Sequence, residues 1–126
     1  MPTHLPANTM KVTIQNGAMH GLSRNEVTAM LKYFPAEWSR VVDSIVLYQG
    51  GSDVVAKFYA KERILGLFWP SPAAGHAKAE AIEILIVALA IVAERGGLPG
   101  KISSPLQTRM LDQTAQLRHQ CLSAVA

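Results

Sequence analysis

Four histidines, nine carboxylates and one cysteine are the side chains here that could do chemistry, and their spacing decides which kind. The histidines are His4, His20, His76 and His119. None has another three, four or five residues away, so no two can share one helix face around a metal ion. His76 and Glu80 form an i,i+4 pair, and Glu80 and Glu83 an i,i+3 pair. On a helix that spacing presents an imidazole and two carboxylates on one side. A metal-dependent hydrolase with an atypical site would draw on His76, Glu80 and Glu83, with His20 and His119 as further ligands. The plainer expectation is that acidic residues in the first turns of a helix complement its dipole. Glu83, set among Ile82, Ile84 and Leu85, needs a cationic or backbone partner if it is buried.

Nucleophilic chemistry has little to work with. Cys121 follows His119 by two residues, a spacing at which helical side chains do not face each other. It is expected to be a core residue. The sequence has no G-x-S-x-G elbow, no G-x-x-x-x-G-K-[ST] loop and no G-x-G-x-x-G turn. No metal and no other cofactor is expected, and a catalytic centre is not.

Positioning elements follow from hydropathy. Met10–Gln15 alternates apolar and polar residues and ends at Asn16-Gly17, the pattern of a half-buried strand. Ser23 and Glu26 form a capping box, and Val27, Met30, Leu31 and Phe34 then fall on one helical stripe. After Pro35 a short helical turn, Ala36–Val41, carries Trp38 inward. Residues 44–48, 54–59 and 64–69 read as strands, the last two joined by Ala60-Lys-Glu-Arg63 as a hairpin. Lys78–Arg95 is an unbroken helical stretch of roughly 27 Å, stopped by Gly96-Gly97 and Pro99. Ser104 and Pro105 suit the cap and first turn of a last, amphipathic helix. The expected class is α+β, with a small antiparallel or mixed sheet, a β-hairpin, a buried central helix and a C-terminal amphipathic helix.

Composition bounds the rest. With 126 residues, residues 1–9 are expected to be a flexible lead and 10–126 a single domain. The lead has two prolines and no apolar run, so no signal peptide is expected. The longest apolar run, Ile84 to Ala93, is half the length of a membrane span. Twelve basic against nine acidic residues give +3, with the basic ones scattered; Lys57, Lys61 and Arg63 are the only grouping and Glu62 lies among them. Nucleic-acid recognition needs a denser patch, so a weak accessory role on nucleic acid ranks behind protein binding. One cysteine fits a reducing, cytoplasmic setting.

A hairpin ending in I-x-L, a proline-containing loop and a long apolar helix together resemble the small zincin-like metallopeptidase domain, over roughly Val41 to Gly97. In that family the helix carries H-E-x-x-H, two zinc ligands and a general base. Aligned on Ile86–Val92, the histidine places hold Val87 and Ile91 and the glutamate place holds Ala88. The resemblance thus implies an inactive zincin-like domain, because these side chains neither bind zinc nor accept a proton. The face Ile84, Val87, Ala88 and Ile91 becomes a candidate apolar binding surface. A low charged fraction, 17%, points to an exposed apolar patch and a homodimer or another protein partner. Tyr59 and Trp69 on the hairpin, and Met110 and Leu117 on the last helix, are the expected interface residues.

Overall fold

A parallel pair opens the chain in the computed structural model, which describes residues 10–18, 20–51, 53–70, 78–98, 100–102 and 114–125. Strand β1 (Lys11–Ile14) runs beside β2 (Ser44–Gln49), and helix α1 (Arg24–Met30) connects them. The α1 cap is the predicted one. The Ser23 hydroxyl accepts from the Glu26 amide at 3.0 Å, and the Glu26 carboxylate accepts from the Ser23 amide at 2.9 Å. A 3-10 turn, Leu31–Tyr33, and a 3-10 helix, Ala36–Arg40, complete the crossing, with Phe34 and Trp38 buried and in tilted ring contact.

Strands β3 (Val55–Tyr59) and β4 (Ile64–Trp69) form the hairpin, and β4 inserts between β3 and β2. It pairs parallel to β2 and antiparallel to β3, so the sheet is mixed. The most apolar strand takes this central place, with both its edges hydrogen-bonded to neighbours. A two-residue strand, β5 (Lys101–Ile102), pairs with β3 at the far edge and gives the order β1-β2-β4-β3-β5. The hairpin turn is tied down by Arg63, a non-glycine residue at φ 57°. Its guanidinium donates to the carbonyls of Arg40 (2.6 Å), Val41 (3.2 Å) and Ser39 (3.3 Å), which end the 3-10 helix. Those unpaired carbonyls carry the negative end of the helical turn, and the cation answers it.

Helix α2 spans Lys78–Arg95 as its pattern requires, and its residues from Ala81 to Val92 are buried apart from Glu83. It touches β3 and β4 on one side and the 3-10 helix and α3 (Ala115–Val125) on the other. A helix covered on both sides is apolar all round, which explains a run with no polar stripe. α3 lies across α1 and α2, and Leu117, Leu122 and buried Cys121 join the core. Two charge pairs tie the helices: Lys78 to Glu26 at 2.6 Å and Arg118 to Glu83 at 3.5 Å. Burial pushes the Glu26 carboxyl up, but its bonds with Lys78 and Ser23 outweigh this and hold it below its usual value. The residues proposed to start the last helix, Ser104 and Pro105, lie outside the described residues.

Candidate functional site

The helix face that the zincin resemblance singles out is closed. Ile84, Val87 and Ala88 have no exposed surface and Ile91 has 4%. They belong to the one hydrophobic cluster that also holds Leu65, Leu67 and Trp38. An apolar binding face was expected here. The side chains instead fill the core, because the sheet and α3 press on α2 from opposite sides. These four side chains offer no open surface to a substrate or ligand.

The carboxylates are used structurally. Glu83 meets Arg118 of α3, the cationic partner that its apolar neighbours demanded. Glu80 is half-buried in the first turn of α2, and His76 lies outside the described residues. His119 is exposed on α3. Among the described residues no three His, Cys, Asp or Glu side chains come together where they could hold a metal ion. Burial alone pushes the Cys121 thiol up to about 11, so it carries no thiolate near neutral pH. Among the described residues no helix is long and apolar enough to cross a membrane.

The interface candidates separate. Tyr59 is 37% exposed, but Trp69 is buried, so the two do not share a surface. The register explains the correction. Tyr59 pairs with Ile64, and side chains alternate along β4, so Ile64, Gly66 and Phe68 share the face of Tyr59 while Leu65, Leu67 and Trp69 point to the core. Leu117 packs against the core cluster and borders a groove of about 340 Å³ with Trp38, Ala90 and Ala93, instead of standing outward. Met110 lies outside the described residues.

What shares the face of Tyr59 is an aromatic row that sequence alone did not assemble. Tyr48 of β2 stacks on Phe68 of β4 with ring centres 4.7 Å apart and planes 14° off parallel. The Lys57 ammonium sits 5.6 Å from the Phe68 ring centre. Both rings lean over Gly66, where an added Cβ would come within 2.9 Å of Tyr48 and 3.1 Å of Phe68. Burial, then the neighbouring Tyr59 and Glu62, pushes the Tyr48 hydroxyl up. Among the described residues all the helices pack on the other side of the sheet, so this face has no helical cover. The four-residue turn Ala60–Arg63 was the available signal: once Tyr59 opposes Ile64, counting back places Val55 opposite Phe68 and so sets Phe68 on the same face as Tyr59, at the other end of the hairpin. The basic grouping also dissolves, since Lys57 covers a ring, Lys61 is exposed and Arg63 caps the 3-10 helix.

A second feature lies at the C-terminal ends of the parallel strands, where α/β sheets place their clefts. A cleft of about 510 Å³ there is lined by Ile14, Ala18, His20, Leu22 and Trp69. Ile14 is 41% exposed in it. The His20 ring meets the Trp69 indole at 5.3 Å. Its Nε2 is 3.1 Å from the Leu67 carbonyl, and its Nδ1 accepts from the Leu22 amide at 3.0 Å. Gly21 lets the indole lie flat on the loop, because a Cβ there would fall 2.2 to 2.6 Å from three indole atoms. Gly21→Ala should therefore cost about 1–3 kcal/mol by overpacking. Chemical denaturation measures it, and an unchanged midpoint would show that Trp69 does not rest on this loop.

No family model matches this chain, and no curated protein and no solved structure shows significant similarity to it.

Proposed function

We propose that this chain is a non-catalytic domain that acts by binding protein, with the open sheet face bearing Tyr48, Tyr59 and Phe68 as its contact surface. The observation that carries this proposal is the aromatic row itself. Half-exposed rings on a face that none of the described helices covers are what a protein interface uses as anchors. The zincin resemblance fits as a frame kept without its chemistry: a sheet backs a long helix whose ligand and base places hold Val87, Ala88 and Ile91. A hydrolase built on His76, Glu80 and Glu83 has less support, because Glu83 is engaged by Arg118. Nucleic acid ranks lower as well, since Lys57 lies against Phe68 and the remaining basic residues are dispersed. A reducing, cytoplasmic setting accords with the single cysteine.

A second copy of the chain is the first partner to test, since two-fold pairing is the commonest closed assembly. Light scattering at micromolar concentration should give twice the 13.6 kDa chain mass, and Phe68→Glu should return it to the single chain. A mass that stays at 13.6 kDa across concentration rejects self-pairing and directs the search to a different protein partner.

A further inference from the structure

His20 is held by the backbone on both sides, in a way that only the neutral ring satisfies. A neutral imidazole has one N–H donor and one acceptor. Here Nδ1 accepts from the Leu22 amide at 3.0 Å, which leaves the proton on Nε2 to be donated to the Leu67 carbonyl at 3.1 Å. The ring thereby fastens the turn before α1 to the end of β4, 47 residues away in sequence. Leu22 is fully buried, so no water waits at its amide to replace the imidazole. The imidazolium has two donors and no acceptor. Its Nδ1–H would turn to the Leu22 carbonyl, 3.2 Å away, and the Leu22 amide would lose this acceptor.

We propose that His20 is a pH-operated latch: protonation breaks the bond its Nδ1 accepts from the Leu22 amide and loosens the turn His20–Ser23, while Nε2–H stays bonded to the Leu67 carbonyl. The exchange is one proton from solvent onto Nδ1, with no other covalent bond made or broken. Burial, the larger influence, pushes the ring's pKa below 6.5, against the carbonyls of Leu67 and Leu22, which raise it. The ionisable side chains on the elements around the turn are Lys11 on β1, Arg24 and Glu26 on α1, and Lys78 at the start of α2, with none on β4. Glu26 and Lys78 are paired with each other. Because the folded ring takes its proton at lower pH than the unfolded chain, the latch contributes fully above pH 6.5. Its contribution falls as pH drops from there toward the folded ring's own pKa.

Amide hydrogen exchange on the intact protein tests this, read beside the ring-carbon NMR shifts of its histidines. Between about pH 7.5 and about pH 5 the Leu22 amide should lose at least about tenfold of its protection, after correction for intrinsic exchange. The midpoint should coincide with the His20 titration, and amides in the middle of α2 should keep their protection. His20→Gln keeps an acceptor and a donor without a titrating proton, so its Leu22 protection should not change over this range. Protection that is constant in the parent protein overturns the latch. So does a midpoint that departs from the His20 titration, a criterion that stands even if the glutamine variant does not fold. An equal loss in a folded glutamine variant overturns it as well.

Discussion

Leu89→Asp should unfold the protein. Leu89 lies in the middle of α2 with no exposed surface, surrounded by a helix whose neighbours from Ala81 to Val92 are buried and apolar except for Glu83. A carboxylate there has no water, and protonating it to stay neutral still strands a polar group. The expected loss is about 5 kcal/mol or more, comparable to the whole stability of a domain this size. Leu89→Ala should cost less, about 2–5 kcal/mol, because it removes only packing. Far-ultraviolet circular dichroism during thermal melting distinguishes the three proteins. An aspartate variant that melts with the parent would mean α2 has an exposed face and that the layered arrangement is wrong.

The second large effect concerns the places where a zinc enzyme of the resembled family would carry its ligands. Installing both histidines, Val87→His with Ile91→His, should lower stability by about 3 kcal/mol or more, since each buried imidazole brings polar atoms that need partners. Val87 and Ala88 have no exposed surface through which a metal ion could reach them. Added zinc should therefore leave the melting temperature of the double variant where it was. A zinc-dependent rise with one ion bound per chain would show an open cleft lacking only its ligands, and the proposed closed frame would fall.

Much of this architecture is written locally. The Ser23–Glu26 box, the ends of α2 at Lys78 and Arg95 and the inward Trp38 each depend on residues within one or two turns. The sheet order depends on pairing at a distance. Nothing in residues 44–69 says that the third strand of the run inserts between the first two, and Lys101–Ile102 is a strand only because β3 lies beside it. The same limit governed the surface. Alternation shows that Phe68 and Trp69 oppose each other, but only the Tyr59–Ile64 register tells which of them faces outward. A partner for Glu83 could be asked for from Ile82 and Ile84, whereas its answer from Arg118 needed α3 to cross α2. His20 carries no local signal at all: its two partners are backbone atoms, one of them on a distant strand.

The most direct test of a binding domain without a catalytic centre is the metal content of purified, untagged protein, measured by mass spectrometry alongside a peptidase assay on unfolded protein substrates. A closed α2 face predicts far less than one zinc per chain and no cleavage above background, with or without added zinc. Stoichiometric zinc, lost together with activity on His76→Ala, would contradict it.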